Sequence, residues 1–386
     1  MPSRRSPRRS PATSLPTGDA TMATTGAMPA AISATHHPIV LALQGGGSHG
    51  AFTWGVLDRL LDDETLPIAG ISGTSAGALN AAVLACGWVD GGRRGAQAAL
   101  RAFWLDVAGQ QSPWGGGCFS APWRGMAAYN LDTNPFYAWQ QQFLRLFSPY
   151  QFNPLGSDPL RAVLARHVDG DRLRRSPIAL FITATAVRTG QPRVFQRDDL
   201  DIDALLASAC LPQLFRAVQI DGEPYWDGGY SGNPALWPLI YNTPSLDLVL
   251  VKINPLVRAG TPDTPEEIAD RVNEITFNAA LVGELRAIGF VSRLVEQGNL
   301  SGDDYKNLRL HMVADDEGLA PLHASSKVNT DRAFLEALHG LGRAAAGRWL
   351  DAHRADVGVR SSLDLRSSFL APRMTPASLP GITPVG

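Results

Sequence analysis

The sequence predicts an α/β protein with three layers, α/β/α, around a mostly parallel central sheet. Short apolar runs alternate with amphipathic segments, as where Ile39–Leu43 is followed by Phe52–Leu61 and then by Ile68–Ile71. This alternation is typical of parallel strands joined by helices. Glycine-rich turns follow both apolar runs. Turns at the carboxyl ends of parallel strands hold the ligands of open sheets, so the functional site is expected there.

Length and composition narrow the class of protein. The chain has 386 residues, 45% of them hydrophobic, and a formal net charge of −2. It is long enough to bury a substantial core, and its charge gives no electrostatic reason to expect nucleic acid as a partner. Its apolar runs are far shorter than the ~20 residues that span a bilayer. Three cysteines without a CxxC motif indicate a reducing compartment, so we expect a cytoplasmic protein.

Three regions are expected along the chain. Residues 1–37 carry four arginines in the first nine positions and are otherwise rich in Pro, Ser, Thr and Ala, which predicts a disordered tail. No apolar segment of a signal peptide follows these arginines; transient contact with an anionic membrane surface is the alternative to a merely solvated tail. Residues 38–353 are expected to form the folded domain, and 354–386 a flexible tail.

Residues 112–152 stand apart because they contain 11 aromatic residues interleaved with Gly and Pro. Beside an active site, such an insertion suits a lid or the wall of an acyl-chain pocket. A satellite cluster that packs an irregular loop is the alternative.

The second half of the domain repeats the strand and helix pattern. Strands are expected at Ile178–Val187, Gln191–Gln196, Leu246–Ile253 and Leu308–Val313. Thr264 and Pro265 are typical of a helix start. The inward stripe of that helix is predicted to consist of Ile268, Val272, Ile275, Ala279 and Val282.

Two turns fit the pattern Gly-x-Ser-x-Gly, in which a serine is presented on a sharp bend between strand and helix. They are residues 73–77, centred on Ser75, and residues 46–50, centred on Ser48. Only the first has a strand running directly into it and a helix leaving it. We therefore interpret Ser75 as a nucleophile. The other turn follows consecutive glycines whose amides are free to converge on an anion, which predicts an oxyanion hole formed by Gly45, Gly46, Gly47 and Ser48.

A serine hydroxyl needs a base to take its proton. Of the eight histidines, only His311 and His323 follow Ser75 at positions that suit a Ser–Asp–His triad, and neither has a distinctive local motif. Asp227 is the better candidate, because Gly228 and Gly229 after it would let its loop approach the serine closely. Burial would also make its carboxylate more basic.

The motifs in this order resemble those of the patatin-like phospholipases: residues 45–50, then 73–77, then Asp227-Gly228-Gly229, with Ser208-Ala209-Cys210-Leu211-Pro212 ahead of the aspartate. The resemblance extends loosely over residues 38–350. It implies a patatin-like fold and a Ser75–Asp227 dyad without histidine, with the glycine-loop amides as oxyanion hole. It also implies a lipid or acyl-ester substrate and neither metal nor cofactor. The glycines that support these motifs are Gly50, Gly73, Gly77, Gly228 and Gly229.

Two residues depart from the family pattern. Gln44 stands where many members have Asp, and His49 where many have Arg or Lys. A cation near the glycine loop would assist an oxyanion or a lipid phosphate, and a neutral histidine would do so less well. The departure leaves acyl hydrolysis as expected and puts a phospholipid headgroup preference in question.

Three other interpretations remain open at this stage. One is an α/β-hydrolase esterase with a triad of Ser75, Asp227 and His311 or His323. Another is a dinucleotide-binding protein, since residues 45–50 fit G-x-G-x-x-G with the acidic residues 62–64 beyond. The third is a non-catalytic lipid-binding relative, against which the retention of Ser75 and Asp227 argues.

Overall fold

An eight-stranded mixed sheet forms the centre of the computed structural model, which describes residues 37–109, 125–258, 260–302 and 304–370. The strands are β1 Ile39–Leu43, β2 Ile68–Thr74, β3 Ala179–Ala186, β4 Pro192–Phe195, β5 Val218–Ile220, β6 Glu223–Asp227, β7 Asp247–Val251 and β8 Arg309–Val313. Their order is β5-β6-β3-β2-β1-β7-β8, with β4 also paired to β3.

Five neighbouring strands, β3, β2, β1, β7 and β8, are parallel. The antiparallel strands β4, β5 and β6 extend the sheet beyond β3. Successive strands run outward from β1 to one side as β2 and β3, and the chain later returns to add β7 on the other side. The order therefore reverses at β1, and such switch points open a crevice at the carboxyl ends of the strands.

Helices cover both faces of the sheet. They are α1 Gly50–Leu61, α2 Ala76–Gly109 (interrupted at Gly91 and Gly92), α3 Pro135–Leu146, α4 Pro149–Phe152, α5 Pro159–His167, α6 Gly170–Arg175, α7 Ile202–Ser208, α8 Trp237–Asn242, α9 Pro265–Glu296, α10 Asp316–Leu319 and α11 Arg332–His353. Alternate residues of β1 belong to two separate cores: Leu41 packs with α1 and α11, and Ala42 with Leu281 and Leu285 of α9. The prediction of three layers around a mostly parallel sheet is confirmed.

Helix α9 starts as expected, with Thr264 Oγ1 accepting a hydrogen bond from the Glu267 amide at 3.2 Å. Its predicted inward stripe is wrong. Ile268, Val272 and Ile275 are 47%, 57% and 54% exposed. The buried side of the helix instead combines apolar and polar residues: Glu274, Phe277, Asn278, Leu281, Leu285 and Ile288.

By length and composition alone, α9 is also apolar enough to cross a membrane, and 28% of its apolar window is buried. One such helix is weak evidence for a membrane span. Its outward apolar stripe is nevertheless a feature of the surface beside the site described below.

Packing continues past residue 353, where the flexible tail was expected to begin. The amides of Ser362 and Leu363 donate to the carbonyl oxygen of Leu310 on β8, and Phe369 packs against the α9 core. The domain thus extends to at least residue 370. The rest of that expected tail, the expected N-terminal tail to residue 36 and residues 112–124 of the aromatic insertion lie outside the described residues.

Candidate active site

Ser75 sits on the bend between β2 and α2. Its φ of 54° lies in the left-handed region, which is strained for any residue with a side chain and is typical of functional turns. The Ser75 amide donates to Ser208 Oγ at 2.9 Å, and Ser208 Oγ donates to the Thr183 carbonyl at 2.6 Å. This bridge ties the strained bend to β3.

Glycines around Ser75 permit approaches that no side chain would allow. A Cβ on Gly77 would lie 2.3 Å from the Leu43 carbonyl oxygen, and one on Gly73 would lie 2.6 Å from the Gly77 carbonyl oxygen. A Cβ on Gly45 would lie 2.6 Å from the Cβ of Ser75. The turn after β1 is therefore pressed directly against the turn after β2.

Asp227 is the last residue of β6 and is fully buried. Its Oδ1 accepts the Gly229 amide at 2.7 Å, and its own amide donates to the Cys210 carbonyl at 2.7 Å. Gly228 is required because a Cβ there would lie 2.1 Å from the Thr183 carbonyl oxygen. Asp227 and Ser75 are thus anchored to the same strand, β3, through Thr183.

The structure brings the Ser75 hydroxyl close to the Asp227 carboxylate. Burial raises the pKa of Asp227 to about 6, and the Gly229 amide, the Ser75 hydroxyl and Lys327 oppose that rise. Among the described residues, Asp227 Oδ2 has no hydrogen-bond partner. A buried carboxylate with a raised pKa and an open oxygen suits a general base near neutral pH.

The glycine loop after β1 divides into two parts. Gly45 was expected to contribute its amide to the oxyanion hole, and this expectation is wrong. The Gly45 amide donates to Asn233 Oδ1 at 2.6 Å and is not free to bind an anion. Gly46, Gly47 and Ser48 are different: within the described residues their amides donate to no acceptor. Three adjacent free amides in the turn that leads into α1 suit a negative charge.

Gln44 is buried and holds the loop in place through long-range hydrogen bonds. Its Oε1 accepts the amides of Ile253 and Asn254, both at 2.9 Å, and its Nε2 donates to Asn278 Oδ1 at 3.1 Å. An aspartate could accept these amides but could not donate to Asn278. The departure from the family pattern at position 44 is therefore matched by an asparagine on α9.

His49, the other departure, is buried and its Nε2 lies 2.7 Å from Ser326 Oγ. Burial lowers its pKa to about 3, with Lys327 and Arg258 adding to the effect. It is therefore neutral at physiological pH, as the sequence interpretation assumed.

The structure does not bring the other candidate histidines to Ser75. His311 Nε2 lies 3.2 Å from Asp247 Oδ1 and its Nδ1 lies 2.9 Å from Ser362 Oγ. His323 Nδ1 lies 2.9 Å from Asp132 Oδ2. Both rings face carboxylates other than that of Asp227.

The acidic residues of the dinucleotide interpretation also lie away from the glycine loop. They follow α1, whereas the loop precedes it. Asp62 pairs with Arg343, and Asp63 with Arg354. Neither stands at a strand tip where a ribose would bind.

Sequence reasoning missed the asparagines that position the glycine loop: Asn233, Asn254 and Asn278. Asn254 Nδ2 donates to the Gly45 carbonyl at 2.7 Å. The three are separated from the loop by 188 to 234 residues, and no local pattern marks them.

In the described part of the chain, no group of three or more His, Cys, Asp or Glu could hold a metal ion, and Cys86 and Cys210 are buried free thiols.

A family model described as "Patatin-like phospholipase" matches residues 41–240, which is 200 of the 386 residues. The comparison with curated proteins gives no match.

Three solved structures are similar to the chain. VipD from Legionella pneumophila is 15% identical, with a TM-score of 0.37 and coverage of 83% of this chain and 67% of that one. The heterodimeric ExoU–SpcU complex from the type III secretion system of Pseudomonas aeruginosa is 20% identical, with a TM-score of 0.23 and coverage of 64% and 50%. The type III effector protein ExoU is 16% identical, with a TM-score of 0.27 and coverage of 83% and 59%.

The family assignment follows from the family model, because its match spans more than half of the chain and includes both glycine turns and Asp227. This chain belongs to the patatin-like phospholipase family, which supports lipid acyl hydrolysis as its general activity.

Proposed function

We propose that the chain is a serine hydrolase that cleaves carboxylic esters of lipids, of the phospholipase A or esterase type, through a dyad of Ser75 and Asp227. The Ser75 oxygen attacks the ester carbonyl while Asp227 accepts the hydroxyl proton. Collapse of the tetrahedral intermediate expels the alcohol, which takes up the proton held by Asp227, and leaves an acyl-enzyme. Asp227, again ionised, accepts a proton from the attacking water and returns it to the Ser75 oxygen as the fatty acid leaves.

The observation that carries this proposal is the pairing of a strained serine with a buried carboxyl. Burial raises the pKa of Asp227 to about 6, the Ser75 hydroxyl interacts with its carboxyl group, and its Oδ2 has no hydrogen-bond partner among the described residues. At neutral pH this carboxyl is ionised yet more basic than an exposed aspartate, so it is suited to accept the proton.

The free amides of Gly46, Gly47 and Ser48 support an oxyanion hole at the mouth of the β1–α1 turn. Gly45 supports the site differently, since its missing side chain allows the loop to lie against Ser75. Removing one donor from an oxyanion hole typically costs ~10²–10³ in kcat.

A Ser–Asp–His triad is the weaker alternative. His311 and His323 are engaged with Asp247 and Asp132, so neither is available to Asp227. Alanine substitutions of the two histidines test this directly, because a triad requires one of them to reduce ester hydrolysis as strongly as Ser75→Ala.

The test of the function combines covalent labelling with turnover. A fluorophosphonate should label the wild-type chain and Ser48→Ala but not Ser75→Ala. On p-nitrophenyl esters of increasing acyl length, Ser75→Ala and Asp227→Asn should both lose hydrolysis. Labelling or turnover that survives Ser75→Ala would refute the proposal.

We also propose that the protein is cytoplasmic and binds lipid surfaces peripherally through the outward stripe of α9. Ile268, Val272 and Ile275 are exposed there. Arg286 and Arg293 continue the same face at helical spacing, are exposed, and form no ion pair within the described residues. Apolar residues combined with cations on one face suit an anionic lipid surface.

Flotation with vesicles tests this contact. The double variant Val272→Glu/Ile275→Glu should bind vesicles of phosphatidylserine and phosphatidylcholine less than wild type, while Ala333→Glu on the exposed side of α11 should bind as wild type does. Unchanged binding of the double variant, or light scattering that shows this face buried in a dimer, would overturn the assignment.

A further inference from the structure

Lys327 differs from the other two lysines of the chain in how few partners its ammonium group has among the described residues. The chain has three lysines, Lys252, Lys306 and Lys327. Lys252 pairs with Asp316, and Lys306 donates to the carbonyl oxygens of Ile240 and Thr243. Lys327 Nζ makes one hydrogen bond in the described part of the chain, to the amide oxygen Asn254 Oδ1 at 3.0 Å, and no ion pair there. Two of its three donors therefore remain available.

Lys327 is fixed beside the active site through its backbone. It lies on the short turn Ala324–Val328, which contacts the glycine loop at two points. A Cβ on Gly47 would lie 2.3 Å from the Lys327 carbonyl oxygen, and Ser326 Oγ lies 2.7 Å from His49 Nε2. The position of the lysine is thus set by the same loop that carries the proposed oxyanion hole.

The side chain of Lys327 is linked to the rest of the site through Asn254 and Phe277. Asn254, its partner, donates to the Gly45 carbonyl at 2.7 Å, and Gly45 lies against Ser75. Lys327 Nζ also lies 5.9 Å from the ring centre of Phe277, and that ring packs against Gly229. Asn254 and Phe277 thus connect the ammonium group to the two loops that carry Ser75 and Asp227.

The carboxylates of Glu274, Asp270 and Asp227 lie near Lys327, and none of them forms an ion pair with it in the described part of the chain. Glu274 is paired with Arg258 and Arg271, and Asp270 accepts the Ala324 amide. Arg258 is itself taken up by Glu274 and by the carbonyl oxygens of Ala320 and Leu322. Burial lowers the pKa of Lys327, which the nearby carboxylates oppose.

We propose that the Lys327 ammonium group binds the phosphate of a phospholipid headgroup while Ser75 attacks an ester of the same molecule. The inference rests on the proposed function and names its substrate class. A lysine is a compact charge with several donors, which suits a phosphate. In a glycerophospholipid the phosphate is attached to the same glycerol as the esters, so one molecule can reach both groups. Lys327 thereby supplies the cation that His49 lacks.

The test compares kcat/KM for a monomeric short-chain phosphatidylcholine with that for an uncharged p-nitrophenyl ester. Lys327→Met should lower the phospholipid value by about tenfold more than the ester value, which corresponds to about 1.4 kcal/mol, and Lys327→Arg should restore part of it. Lys306→Met is the matched control and should leave the ratio of the two values unchanged. An equal loss on both substrates, or no loss, would overturn the proposal.

Two further measurements separate the explanations. Inorganic phosphate should inhibit ester hydrolysis by the wild type more than by Lys327→Met; if inhibition changes but the phospholipid preference does not, the site binds free phosphate and the headgroup assignment is wrong. Hydrolysis of both substrates by Ser75→Ala would instead refute the proposed function itself. Because Lys327 contacts Gly47 through its backbone carbonyl, Lys327→Met leaves that contact in place, and thermal unfolding should show that the variant is folded.

Discussion

The two Gly-x-Ser-x-Gly turns share a sequence pattern and differ in structure. Ser75 directly follows β2 with a φ of 54° and lies beside a buried carboxylate. Ser48 lies inside a short 3-10 turn that leads into α1, and in this turn of residues 46–50 it is Gly47 that takes the positive φ, 57°. One turn presents a side chain to the site, and the other presents backbone amides.

The Gly-x-Ser-x-Gly pattern therefore specifies a tight turn, and the strand or glycines before the turn determine whether it exposes a side chain or backbone amides. A strand that runs straight into the turn forces strain onto the serine. In the turn of residues 46–50, Gly47 adopts the positive φ, so Ser48 keeps an unstrained backbone. Substitutions in the two turns should therefore have very different effects.

The largest effect is expected for Ser75→Ala. Loss of the nucleophile should reduce kcat by about 10⁴-fold or more, with the protein still folded because only one hydroxyl is removed. Single-turnover hydrolysis of a p-nitrophenyl ester measures it, with thermal unfolding as the control. A residual rate within tenfold of wild type would show that the turn after β2 is not the reacting one.

The next effect is expected for Asp227→Asn. Because the pKa of Asp227 is about 6, wild-type activity should rise with pH through 6 as the carboxyl loses its proton and becomes able to act as a base. The variant should lose about 10³-fold in kcat and should no longer show that rise. The pH profile of kcat/KM measures both; a rise at pH 6 that persists in the variant would assign it to another group.

A smaller but still clear effect is expected for Gly45→Ala. Its Cβ would lie 2.6 Å from both Ser75 Cβ and the Thr74 carbonyl oxygen, so the two turns would have to separate. We expect a loss of about 2 kcal/mol in the free energy of unfolding together with about 10²-fold lower kcat. Denaturant unfolding and ester turnover test this, and Gly340→Ala, which has open space around it in α11, is the matched control.

The smallest effect is expected for Ser48→Ala. The substitution keeps the backbone amide that we assign to the oxyanion hole, so kcat should fall by less than about tenfold. A loss as large as that of Ser75→Ala would exchange the roles of the two serines.

Local features of the site could be predicted from the sequence, and features that depend on distant partners could not. Ser75 was identified because strand, turn and helix are consecutive. The role of Asn233 was missed because its partner, the Gly45 amide, is 188 residues away. The apolar spacing of α9 was recognised, but its buried side was misassigned, since Glu274 and Asn278 are satisfied by Arg258 and Gln44 across the interface. The apolar periodicity of a sequence predicts that a helix has an apolar face. It does not predict which face the rest of the fold buries.

The position of β7 has a consequence for shortened versions of the chain. The family match ends at residue 240, yet β7 begins at Asp247 and pairs with β1 along its whole length. A protein truncated after residue 240 would retain Ser75 and Asp227 but would leave β1 as an open edge with unpaired amides and carbonyls. Such edges recruit other strands, so this fragment should aggregate rather than report on catalysis.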